Sequence, residues 1–111
     1  MAAPVANGLR PVAFICLLEI HLHFPDVHSL KSKRKELSSL KAQLQQRFNA
    51  SVAETDHQNL WQRSTLSVAL AGRDMSTLDE AASKLTRYVE SQFPDGVRVQ
   101  RALVSSEDLL N

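Results

Sequence analysis

From Val12 to Phe24 every second residue is apolar, through Val12, Phe14, Cys16, Leu18, Ile20, Leu22 and Phe24, the period-two signature of a strand with one face in a core. The intervening positions begin apolar with Ala13, Ile15 and Leu17 and end polar with Glu19, His21 and His23. A strand this apolar suits the centre of a sheet. Pro25, which has no ladder donor to offer, ends it. The period then changes. Leu30, Leu37, Leu40, Leu44 and Phe48 recur at helical spacing behind Ser29, a residue type that caps helices, so a first helix is expected from Ser29 to about Arg47.

"NASVAETD" reads as a short strand, "HQNLWQR" as a polar link, and "STLSVALAG" as a further strand closed by Gly72. In "RDMSTLDEAASKLTRYVESQF" the stripe Leu78, Ala82, Leu85, Val89 and Phe93 predicts a second helix, capped by Asp74 or Ser76, with Asp79 and Glu80 in its first turn and Pro94, Asp95 and Gly96 stopping it. "VRVQRALV" supplies a last strand, and the two leucines of "SSEDLLN" mark a tail that docks or frays. The order strand, helix, strand, strand, helix, strand is the ferredoxin-like βαββαβ arrangement, an α+β fold with a four-stranded antiparallel sheet and two helices on one face. Right-handed crossovers put the first and third strands in the centre and the second and fourth at the edges.

Size agrees with a single unit: 111 residues suit one compact domain. The expected division is a flexible leader over 1–11, the ferredoxin-like domain over 12–105 and a C-terminal tail over 106–111. Cys16 is the chain's one cysteine and lies in the apolar run "VAFICLL", which makes it a buried, inert thiol and favours a reducing compartment. That seven-residue run is too short to span a membrane, and the leader has no secretory pattern, so a cytoplasmic location is expected.

Charge changes the picture more. The formal net charge is only +1, yet between Ser29 and Phe48 six cations face one acid, so this segment carries +5 and the rest of the chain −4. Four of the cations, Lys31, Lys33, Arg34 and Lys35, crowd the opening turn of the first helix. A helix start is already positive, and each cation added there costs about 0.3 to 1 kcal/mol at low salt. Such a start is suited to hold phosphate or carboxylate oxygens, and departures from local preference concentrate at functional sites.

The segment "HSLKSKRKELSSLKAQLQQRFNASVAETDHQNLWQRS" resembles the hallmark region of the YlxP-like family of small bacterial proteins, most specifically at Ser29-Leu30-Lys31 with Lys33-Arg34, Val52-Ala53-Glu54, Asp56-His57-Gln58 and Leu60-Trp61-Gln62-Arg63. The resemblance covers nearly the whole chain and implies the ferredoxin-like architecture without a biochemical activity. It also implies a ribosomal or RNA context, through the neighbourhood of such genes to those of translation initiation and ribosome maturation. Asp26-Val27 departs from the family's usual pattern, in which a glycine is common after the Phe-Pro pair.

Each candidate has a functional and a structural reading. Lys33, three residues after Leu30 and four before Leu37, sits inside the apolar row. It snorkels out, pairs with a carboxylate such as Glu54 or Asp56, or joins Lys31, Arg34 and Lys35 in an anion site for RNA phosphate. Trp61 with Arg63 suits stacking on a base, although a lone tryptophan between two strands more often closes a core. Glu54, Asp56, His57 and Gln62 suit a structural polar network, Asp56 through a local turn. His21 and His23 share a face with Glu19, but the chain has no dedicated metal-ligand motif, no nucleophile elbow and no phosphate-binding glycine loop. No cofactor and no catalytic residue is expected.

The sequence therefore favours a non-enzymatic cytoplasmic binding protein, associated with RNA or the ribosome through the basic helix start, with Lys31, Lys33, Arg34, Lys35 and Arg63 as the anion-binding candidates. The alternative is a structural or interaction protein without a nucleic-acid role, which self-associates into a homo-oligomer through the open face or edge of its sheet, where Ile15 and Leu17 leave an apolar patch.

Overall fold

The alternation along the first segment forms β1 (Phe14–His23), and the remaining elements come in the expected order: α1 (Leu30–Phe48), β2 (Ser51–Asp56), β3 (Arg63–Gly72), α2 (Met75–Gln92) and β4 (Val97–Ser105). A computed structural model describes residues 12–94 and 96–110 of the chain. The leader expected over 1–11 lies outside the described residues, as do Asp95 of the turn after α2 and Asn111 at the end of the tail. The strands form one antiparallel sheet in the order β2-β3-β1-β4, with β1 and β3 central and β2 and β4 at the edges. The tail differs from a simple extension: Ser106–Leu110 forms a short third helix, α3. Ser106 continues the β1–β4 pairing through its N–H to the Ala13 carbonyl, 2.7 Å.

Among the described residues, only one face of the sheet is covered. Cys16, Leu18, Ile20 and Leu22 of β1 and Leu66, Val68 and Leu70 of β3 point into a core closed by Leu37, Leu40 and Leu44 of α1 and by Leu78, Ala82, Leu85 and Val89 of α2. At the end where β1 leaves the sheet, Phe24 meets Phe93 edge to face, ring centroids 5.4 Å apart, and Val27 is buried beside them. These aromatic rings and Val27 close that end of the core, in the geometry aromatic pairs prefer. Burial pushes the Cys16 thiol above its ordinary value of 9.0, so it stays a protonated, apolar filler.

Both long helices start at caps. Ser29 accepts from the N–H of Ser32 at 3.1 Å. In α2 the cap is Asp74, whose carboxylate accepts from the N–H of Thr77 at 2.8 Å and from the hydroxyls of Thr77 and Ser76. With Asp74 as cap the first turn begins at Met75, so Asp79 and Glu80 fall in the second turn, beyond it. There they serve as ion-pair partners, Asp79 for Arg101 on β4 at 2.7 Å and Glu80 for Lys84 at 3.2 Å.

The Thr77 hydroxyl and N–H, then the Ser76 hydroxyl, hold the Asp74 carboxyl below its ordinary value of 3.8. A depressed folded value means stability that is fully present above the unfolded value and lost as pH falls through the folded one. The urea midpoint of the wild type is therefore expected to fall more steeply below pH 3.8 than that of Asp74→Asn, which keeps a capping oxygen but takes up no proton. Parallel profiles of the two forms would show that the cap carries no such linkage.

Candidate functional site

The helical spacing that places Leu37, Leu40 and Leu44 inward also turns Lys33 inward, and its side chain is 1% exposed. A buried ammonium must be met by charge and hydrogen bonds. Lys33 Nζ lies 3.1 Å from a Glu54 carboxylate oxygen on β2 and donates to the His57 carbonyl at 2.5 Å. The same Glu54 oxygen accepts from the Ser64 hydroxyl on β3 at 2.6 Å. One cation thus joins α1, both strands of the β2–β3 edge and the link between them. Its charge is satisfied internally, so Lys33 belongs to the fold and leaves the set of cations that an anion from solution can reach.

The network also shapes the link. Pairing of β2 with β3 shifts register between Glu54 and Asp56, a slip of the kind that bends a strand and re-aims the residues beyond it. His57 adopts the left-handed region with φ 63°, uncommon for a residue with a side chain. Its N–H is held by the Asp56 carboxylate at 2.8 Å, and its carbonyl accepts from both Lys33 and the Leu60 N–H. Farther on, the Gln62 amide donates to the carbonyls of Pro25 and Val27, and the Gln62 carbonyl accepts from the Phe24 N–H at 2.9 Å. Glu54, His57 and Gln62 tie the link to the body of the domain, and Asp56 fixes the turn locally at His57.

Fastened at both ends, the link pushes its middle outward. Leu60 is 48% exposed and Trp61 is 51% exposed. Trp61 is therefore not the core plug that a tryptophan between two strands ordinarily provides, because the Phe24–Phe93 pair and Val27 already fill that end. It lines an open depression of about 400 Å³ together with His23, Asn59, Leu60, Gln62 and Arg63. Because α1 begins at Leu30, Lys31 lies in its first turn while Arg34 and Lys35 fall in the second, beyond the opening turn in which the sequence placed them. All three are exposed, and among the described residues none of them makes an ion pair or a side-chain hydrogen bond. Because Lys33, between them, touches His57, this start of α1 and the Trp61 link lie at one end of the molecule.

The uncovered sheet face divides in two. At one end Leu17, 43% exposed, lies between Ala69 and Ala102, and Ile15 lies between Ala71 and Val104. Beyond them Thr55, Ser67 and Glu19 form a hydrogen-bonded row, Ser67 donating to the Glu19 carboxylate at 2.5 Å. His21 and His23 come next, with the His21 ring nitrogens contacting Thr65 Oγ1 at 3.2 Å and Gln100 Oε1 at 3.0 Å. Arg98 is opposite His21 through the β1–β4 register, a placement that alternation along "VRVQRALV" alone does not convey. Among the described residues no group of three or more His, Cys, Asp or Glu side chains is arranged to hold a metal ion, and no helix is long and apolar enough to cross a membrane.

Replacing Lys33 with Met strands the Glu54 carboxylate and one acceptor site of the His57 carbonyl. The expected loss in urea unfolding is about 3 kcal/mol, the low end of the cost of breaking a buried pair, since Glu54 keeps 19% of its side chain exposed. Adding Glu54→Gln to Lys33→Met should recover part of it. Independent, additive losses from the two substitutions would show that the pair is not coupled.

A family model described as "Protein of unknown function (DUF503)" matches residues 15–101. The uncharacterised protein YlxP of Bacillus subtilis (strain 168) is 27% identical over 82 residues, 74% of this chain and 85% of that protein. Among solved structures, the de novo designed protein Foldit4 superimposes with a TM-score of 0.55 at 10% identity, over 83% of this chain and 96% of its own. That likeness concerns the fold alone. The family model spans the domain from the second residue of β1 into β4, and the chain belongs to the DUF503 family.

Proposed function

We propose that this domain is a non-enzymatic binding protein for single-stranded RNA, free or displayed on a ribosomal surface, which it engages with the end formed by the α1 start and the β2–β3 link. The observation that carries the reading is the exposed Trp61, held outward beside Arg63 by a link that hydrogen bonds fasten at both ends. An aromatic ring fixed in solvent is a stacking platform for any base, worth about 1 to 3 kcal/mol per base. Lys31, Arg34 and Lys35 supply positive charge at the same end, where the backbone N–H groups of α1 add to it.

A second reading rests on Leu17, which stays 43% exposed at the apolar end of the uncovered face. It has this apolar half of the sheet meet a second copy, giving a symmetric homo-oligomer.

Salt separates the two. For an unstructured oligouridylate, log affinity is expected to fall by about 0.7 per unit log salt for each phosphate contact, and Lys31→Glu/Arg34→Glu should lower both affinity and slope. Trp61→Ala should cost about 1 to 3 kcal/mol with the slope unchanged, because stacking is not a counterion-release effect. Filter binding and co-sedimentation with ribosomes check this. Equal recovery of wild type and the charge-reversed form would sink the RNA reading, and a salt-independent dimer in light scattering, disrupted by Leu17→Glu, would support the second.

A further inference from the structure

At the polar end of the uncovered sheet face, a depression of about 310 Å³ is lined by His21, His23, His57, Arg63 and Arg98 over a backbone floor that includes Gly96. Among the described residues no carboxylate lines it. The strand registers build it: His23 is the partner of Arg63 across β1–β3, and His21 is the partner of Arg98 across β1–β4. Side chains directly opposite one another on a sheet lie about 4.5 to 5.5 Å apart at Cβ. The two registers therefore set one arginine on each strand flanking β1, and both border the same depression.

The nearby acids of β1 and β2 are engaged elsewhere. Glu54 holds Lys33, Glu19 accepts from Ser67 one row away, and Asp56 accepts from the His57 N–H and lies 3.6 Å from its ring. Both nitrogens of His21 are used by Thr65 and Gln100, which makes its ring a fixed wall. Among the described residues, Arg63, Arg98 and the ring of His23 have no ion pair or side-chain hydrogen bond. Gly96 passes so close to β1 that a Cβ there would stand 2.8 Å from His23 Cβ and 3.0 Å from its carbonyl oxygen. A side chain at that position would crowd the chain where the depression opens. Arginine pairs with forked donors are the groups best matched to phosphate oxygens.

This depression shares His23 and Arg63 with the one that Trp61 lines. A cationic pocket adjoining an exposed aromatic ring has the composition of a nucleotide site, with charge for the phosphate and a flat face for the base. We propose that the pocket between Arg63 and Arg98 is a phosphate site, and that it holds the backbone phosphate of the nucleotide whose base stacks on Trp61. The ligand assignment rests on the RNA reading above; the pocket and Arg98 are new to it.

The test uses the full chain with four probes: inorganic phosphate, adenosine 5′-monophosphate, adenosine and oligouridylate. Inorganic phosphate and the monophosphate are expected to shift the side-chain NMR signals of Arg63 and Arg98 saturably, the monophosphate also quenching Trp61 fluorescence, while adenosine leaves both arginines unmoved. Arg98→Gln, on an exposed position, should weaken oligouridylate binding about tenfold and lower its salt slope by about 0.7. Unchanged affinity and slope in Arg98→Gln, with binding still lost in Lys31→Glu/Arg34→Glu, would overturn the phosphate site and leave the RNA reading standing. Saturable shifts with phosphate and the monophosphate, without any oligouridylate binding, would support the pocket and overturn the RNA reading. No response of either arginine to any probe overturns the proposal.

Discussion

A single buried ammonium governs the end of this domain where its distinctive chemistry lies. Taking Lys33 and most of Glu54 out of water costs several kcal/mol per ion, and their attraction with the added hydrogen bonds roughly offsets that cost. The net gain in stability is accordingly modest beside that of the apolar core of β1, β3, α1 and α2. What the pair supplies is placement. The Lys33 ammonium reaches the His57 carbonyl only when that residue takes its left-handed turn, and the turn sends Leu60 and Trp61 outward. An apolar residue at position 33 would fill the space but give no direction to the link, which is the registry role that buried polar groups serve best.

The open face of the sheet is as deliberate in its halves as the link is in its path. Ile15 and Leu17 sit where β1 pairs with alanines and Val104, whereas the other half carries rows joined by side-chain hydrogen bonds, Thr55 to Ser67 to Glu19 and Thr65 to His21 to Gln100. Phe, Tyr and Trp are missing from the face's β1, β3 and β4 positions, so its one large flat ring is Trp61 at the margin. The apolar half is small, with alanines around two larger side chains, and lies at the opposite end of β1 from the cations. Two functions on one face need not compete for the same ground.

Strand and helix assignments were legible because burial imposes a period: two along β1, and three to four along α1 and α2. The sheet order came from the handedness of crossovers and from the apolar start of β1. Lys33 was legible as an anomaly in an apolar row, but its resolution was not, because Glu54 is its partner only once the α1–β2 packing exists and the His57 carbonyl depends on a backbone turn that composition does not encode. Trp61 misleads for a related reason. A tryptophan between strands usually closes a core, and here Phe24 and Phe93, distant in sequence, meet first. Arg98 was invisible as a site residue because antiparallel register, set over most of the chain's length, is what places it opposite His21. The α3 helix did have a local signal, a serine three residues before Asp108 whose hydroxyl accepts from that residue's N–H.

The distribution of acids explains why positive charge persists at one end instead of being cancelled within the fold. Asp79 and Glu80 meet Arg101 and Lys84 on the α2 side, and Asp74 caps that helix. Glu36, the single acid of α1, faces the α2 side, lining a depression with Gln92 and Phe93. Near the link, Glu54 is consumed by Lys33 and Asp56 by its own turn. Each carboxylate with a defined contact thus has a structural use, and none of those contacts reaches Lys31, Arg34, Lys35, Arg63 or Arg98. A chain whose overall charge is nearly zero can in this way keep unpaired positive charge gathered in one place, and a local cluster of that kind, unlike net charge, makes itself felt within a Debye length.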